Sequence, residues 1–191
     1  MKQLRLALAG VFAFASLSIP AFAAEDDFLT IQLKDGPVVV ELLPEIAPRH
    51  VEQIKKLATD GEYNNVAFHR VIEGFMAQTG DVEFGDMESG FNPARAGTGG
   101  SKLPDLPAEF SDVPFERGTL GMARSQDPDS ANSQFFIMFD EGSFLNGQYT
   151  VVGKVVSGME NVDKIKRGEG GNGEVSDPDR MVTVTVGKPA E

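Results

Sequence analysis

About eight short segments of alternating apolar and polar residues, set between turn-forming residues, constrain this chain more than any other feature. In Phe28–Lys34, Leu29, Ile31 and Leu33 alternate with Thr30, Gln32 and Lys34. Asp35-Gly36 predicts a two-residue hairpin, with Pro37–Leu43 as the return strand. Val66–Ile72, Phe75–Thr79, Gly118–Arg124, Ser133–Phe139, Tyr149–Val156 and Met181–Val186 also read as strands. In Ser133–Phe139, Phe135, Ile137 and Phe139 fall on one face; Gln134, Phe136 and Met138 fall on the other. Asn146-Gly147 is a second hairpin signal. Two segments carry helical spacing instead. Val51, Ile54 and Leu57 end at Gly61, and Met159, Val162 and Ile165 run towards Gly168. The pattern predicts a mainly β fold with two helices, either a closed barrel or a sandwich. Val82–Phe110 is a long Gly-, Pro- and acid-rich stretch, and loops of that length usually carry function.

The first residues read differently. Lys2 and Arg5 precede an apolar stretch, Leu6–Ile19, which ends at Pro20 and Ala21-Phe22-Ala23. That is the layout of a secretory signal peptide, cut near Ala23, and the stretch is too short to span a bilayer comfortably. Residues 1–23 are expected to be removed, leaving 24–191 as one domain, soluble and periplasmic. Cutting 23 of the 191 residues leaves 168, enough for one sizeable core. The formal charge moves from −12 to −14, because the segment carries two cations and no acid. Such a surface repels nucleic acid and anionic membranes, so neither is expected as a partner. With no cysteine, stability must come from packing.

Several familiar chemistries are missing. "GEGGNG" at Gly168–Gly173 matches a dinucleotide fingerprint, but a helical pattern precedes it where a strand is required, so it reads as a loop. "DPDSAN" starts like a calcium loop but lacks the central glycine and closing glutamate. His50 and His69 are the only histidines and read as structural, so no metal is expected. No nucleophile elbow is present.

One cation stands out. In "FHRVIEGFMAQTGD", Phe68–Asp81, Arg70 sits in an apolar run, and alternation places it with Phe68 and Ile72. Met76 and Gln78 share a face in the same way. A charge among large apolar side chains is costly in a core and suits a salt bridge or a binding groove. Composition alone favours the salt bridge.

That stretch, with "GTGG" (Gly97–Gly100), "GTLGMAR" (Gly118–Arg124), "NSQFFI" (Asn132–Ile137) and "VVGKVVSGM" (Val151–Met159), resembles the cyclophilin family of peptidyl-prolyl cis-trans isomerases. The resemblance spans the chain from the first hairpin to the last strand. It implies a closed eight-stranded antiparallel barrel capped by two α-helices, with a packed interior and an external groove. It implies that Arg70 is the catalytic arginine, with Gln78 and Phe75 in the catalytic set. Met76, Phe136 and Leu145 would join Phe75 around the substrate's proline ring. Gln134, Ala123, Arg124, Phe144 and Tyr149 would complete the peptide groove. The implied partners are proline-containing, partly folded exported proteins, acted on by a monomer without cofactors.

The chain departs from many eukaryotic members at three groove positions. Phe144 replaces a tryptophan, Tyr149 a histidine, and Arg124 a frequent asparagine. Phe144 has no ring N–H donor, so weak cyclosporin binding is expected. The stretch between Asp81 and Gly97 is longer than in compact members. Two competing readings are a holding chaperone using the same groove and an unrelated barrel with an internal ligand.

Overall fold

The computed structural model describes residues 24–189; the signal-peptide assignment for residues 1–23 lies outside them. The elements are β1 (Phe28–Leu33), β2 (Gly36–Leu42), α1 (Pro48–Thr59), β3 (Arg70–Ile72), β4 (Met76–Thr79), β5 (Thr119–Met122), β6 (Phe135–Met138), β7 (Val151–Ser157), α2 (Met159–Val162) and β8 (Thr183–Val186). All eight strands join one antiparallel sheet in the order β3-β4-β6-β5-β7-β2-β1-β8.

The sheet curls because its inner face is largely apolar and must be covered. Leu29, Ile31, Val38, Val40, Phe68, Ala77, Leu120, Phe135 and Ile137 fill one contiguous core, joined by Val51, Ile54 and Leu57 of α1. This packed interior removes the internal-ligand reading. No helix among the described residues is long and apolar enough to cross a membrane.

The ladder is open. Its ends, β3 and β8, do not pair with each other, so the sheet is a curled half-barrel and not the expected hydrogen-bonded ring. The cause lies just before β3. Val66–Phe68 leaves the ladder: Val66 bridges Asp86, and Ala67 bridges Arg180 at the seam. The predicted strand Val66–Ile72 is therefore only Arg70–Ile72. Alternation fails with it: Phe68 lies in the inner core, while Ile72 packs on an outer cluster, so Arg70 and Phe68 do not share a face.

Three other expectations shift. Leu33 pairs with Gly36, so the first hairpin turns at Lys34-Asp35, one residue early. Asn146-Gly147 makes no hairpin: β6 pairs with β4 and β5, and β7 with β5 and β2. A 3-10 turn, Ser143–Leu145, occupies that connection. The second helix is a single turn ending at Val162, and Ile165 is buried beyond it.

The outer face carries a second apolar cluster: Met76, Phe115, Phe136, Met138, Leu145 and Val151. Phe115 and Phe136 stack with centroids 5.7 Å apart. Gly121 makes this possible, since a Cβ there would lie 2.5 Å from both rings. The β5–β7 pairing slips between Leu120 and Gly121, a bulge that bends the strand beside this cluster.

Candidate active site

The strand register builds one row across three strands. Arg70 on β3 faces Gln78 on β4, which faces Phe136 on β6. Paired residues in antiparallel strands project to the same side, so the cation, the amide and the ring lie together on the outer face.

Arg70 is held from two directions. Its Nη1 donates to Gln78 Oε1 at 3.2 Å and contacts Met76 Sδ at 3.8 Å. Its Nε donates to the carbonyl of Asn172 at 2.9 Å. The chain of amides continues: Gln78 Nε2 donates to Gln134 Oε1 at 3.0 Å, and Gln134 Nε2 donates to the Gly99 carbonyl at 2.8 Å. Every link has one donor and one acceptor, so the row has a fixed polarity ending on backbone. Partial burial draws the Arg70 pKa down, with nearby Tyr149 opposing. The guanidinium still stays charged at neutral pH, because its ordinary value is so high.

A cavity of about 310 Å³ opens beside this row. Arg70, Phe75, Met76, Gln78, Ala123, Arg124, Phe136, Phe144, Leu145 and Tyr149 line it, ten of the eleven residues nominated from the sequence. Gln134 lines an adjoining polar cavity of about 610 Å³ with Gly97–Ser101 and Asn132. The floor of the smaller cavity is apolar and its rim aromatic. Tyr149 meets Phe136 edge-on at 5.9 Å. Phe144 leans on Phe75 at 5.4 Å and stays 63% exposed.

Arg124 is tied down by its own neighbourhood. Nη1 donates to the carbonyls of Ser125 and Gln126, Nη2 to that of Gln148, and the guanidinium lies 4.4 Å from the Tyr149 centroid. It forms a wall between the two cavities.

Asp81 holds the loop that ends the amide row. Its buried carboxylate accepts N–H bonds from Gly97 at 2.7 Å and Gly99 at 3.0 Å, and two more from Glu83 and Phe84. His50 donates within the α1 N-terminus: its Nδ1 and backbone N–H meet Glu109, 2.7 Å and 3.2 Å away, so its role is structural. His69 is 6% exposed and packs under Gly97. Among the described residues, no group of three His, Cys, Asp or Glu could hold a metal.

Two contributors escaped the sequence reading. Phe115 lies beneath Phe136 but belongs to no alternating segment. Asn172 acts through its carbonyl from inside "GEGGNG", which matched only a false motif.

The family model described as "Cyclophilin type peptidyl-prolyl cis-trans isomerase/CLD" matches residues 28–186, the whole described sheet. The chain belongs to the cyclophilin family. Its relatives agree. A "Probable peptidyl-prolyl cis-trans isomerase" of Brucella suis is 63% identical over 192 residues, covering 97% of each chain. Peptidyl-prolyl cis-trans isomerase A of Dickeya dadantii is 36% identical, covering 87% of this chain and 85% of its own. Among solved structures, cyclophilin AquaCyp293 from Hirschia baltica superposes with a TM-score of 0.71 at 27% identity, over 86% of this chain and 75% of its own. A Cryptosporidium parvum cyclophilin, crystallised in the presence of the dipeptide Ala-Pro, gives 0.72 at 26% identity, over 85% of this chain and 99% of its own. This cyclophilin is thus a peptidyl-prolyl cis-trans isomerase, and its outer-face row and cavity are the candidate catalytic apparatus.

Proposed function

We propose that the row Arg70–Gln78 and the adjoining cavity carry out X-Pro isomerisation, with the substrate's proline ring seated on Phe75, Met76, Phe136 and Leu145. The observation that carries this reading is a permanently charged donor fixed at the edge of an apolar cavity of ring-accommodating size. Amide resonance sets a rotation barrier of about 18–20 kcal/mol, and no covalent bond need break to cross it. A catalyst has only to bind the twisted amide better than either planar form. Twisting gives the prolyl nitrogen a lone pair. A guanidinium N–H aimed there, or at the prolyl carbonyl, stabilises that geometry and little else. The apolar walls exclude water and strengthen this hydrogen bond. The Cryptosporidium cyclophilin and its Ala-Pro dipeptide support this choice of substrate.

Exported, partly folded proteins are the proposed clients, with the protein acting as a periplasmic monomer. The support is the basic and apolar start with its Ala-Phe-Ala site, and the acidic mature surface. Cell fractionation with N-terminal sequencing tests the location: a periplasmic product beginning near Ala24 is expected, and a cytoplasmic full-length chain contradicts it.

Exchange NMR on a short Ala-Pro peptide tests the activity without a coupled protease. Exchange broadening that grows with protein concentration supports isomerisation. Shifted peaks without faster exchange point to a proline-peptide binding module instead.

A further inference from the structure

A third cavity, of about 370 Å³, lies on the other side of Arg70 and Gln78 from the proline cavity. Both residues line the two cavities, so a peptide seated in the first has a continuous path into the second. One wall is the loop after Asp86, where Phe91, Pro93, Ala94 and Ala96 present apolar surface. Glu174, an exposed residue from a separate segment, also lines the cavity.

Glu174 is bridged to Arg70 through the backbone, yet among the described residues its carboxylate makes no ion pair and accepts no hydrogen bond. Arg70 lines the same cavity and keeps its charge, but its guanidinium is held by Gln78, Met76 and the Asn172 carbonyl and makes no ion pair with Glu174, so a cationic head must sit at Glu174 on the side away from Arg70. His69 also lines the cavity and adds little positive charge, since burial lowers its pKa below the ordinary value of 6.5. A cavity lined by both apolar surface and an unpaired carboxylate suits a side chain with a long aliphatic stem and a cationic head.

We propose that this cavity is a second peptide subsite that takes a lysine or arginine side chain of the substrate, its stem against Phe91 and Pro93 and its head at Glu174. The inference rests on the isomerase reading above. It adds a preference for basic residues near the isomerised proline, in keeping with an acidic protein surface.

The test is a set of Ala-Pro peptides read by exchange NMR. Lysine, norleucine or glutamate is placed in turn at each of three positions on either side of the proline. Lysine is expected to exceed norleucine in kcat/KM by about two- to fivefold at one position, the range of an exposed ion pair, and glutamate to fall below both. The lysine-to-norleucine ratio should fall to one in Glu174→Gln. It should persist in Glu52→Gln, which removes an exposed charge from α1. Three results would overturn the subsite: no position favouring lysine, lysine and norleucine gaining equally over alanine, or a ratio that survives Glu174→Gln. The all-alanine Ala-Pro peptide separates the two levels: if it is not isomerised, the underlying function fails; if it is, only the subsite is at stake.

Discussion

Arg70 and Gln78 face each other across β3 and β4, and Nη1 of the arginine donates to Oε1 of the amide at 3.2 Å. Because Oε1 is the acceptor, Nε2 of Gln78 must point away, and it does so onto Gln134. One side chain's orientation therefore fixes the next, from the Arg70 guanidinium to the Gly99 carbonyl.

This coupling predicts non-additive mutations. Gln78→Ala should lower kcat/KM by about tenfold, by freeing a donor of Arg70 to wander. Gln134→Ala should cost less, because Gln78 keeps its bond to Arg70. The double variant should be little worse than Gln78→Ala alone, since both changes break one chain. Fully additive losses, measured by exchange NMR, would show that the two amides act independently.

The second hold on Arg70 depends on a glycine. Gly173 has φ +70, and a Cβ there would sit 2.4 Å from Ile72 Cγ1 and 2.9 Å from the Val71 carbonyl. Its own carbonyl receives the Val71 N–H at 2.7 Å, which staples the loop to β3. Gly173→Ala should push the loop off β3 and carry the Asn172 carbonyl away from Arg70 Nε. The expected result is a kcat lowered by about tenfold with KM within about twofold of the parent, since neither Asn172 nor Gly173 lines the proline cavity and its apolar floor is left in place. A rise in KM at unchanged kcat would contradict this placement.

Acid sensitivity should trace in part to His69. Burial lowers its pKa, outweighing the opposing charge of Asp81. A base whose folded pKa is lowered contributes stability that is fully present above its unfolded value, here 6.5, and lost as pH falls from there towards the folded value. Urea midpoints should therefore decline as pH drops below about 6.5, and the decline should be shallower in His69→Gln. Equal slopes in the two proteins would remove His69 as the source.

Much of the site was legible through the resemblance carried by Phe68–Asp81 and Asn132–Ile137, and strand alternation agreed with part of it. Met76 and Gln78 share a face, as do Gln134 and Phe136, and all four take part in the groove or its supporting row. The misses have non-local causes. Phe68 and Arg70 are two residues apart but face different clusters, because a bridge from Ala67 to Arg180 turns the chain between them. Asn146-Gly147 has the composition of a hairpin, but its flanking strands pair elsewhere. Asn172 contributes a backbone carbonyl, which no residue type announces.

In the proposed mechanism Arg70 acts on the twisted amide and not merely on peptide binding. Exchange NMR and titration of one Ala-Pro peptide with the parent protein and Arg70→Ala test it most directly. A loss of about a hundredfold or more in isomerisation rate is expected, with peptide affinity within a few-fold of the parent. Near-normal rates in Arg70→Ala, or rates that fall only in proportion to lost binding, would contradict it.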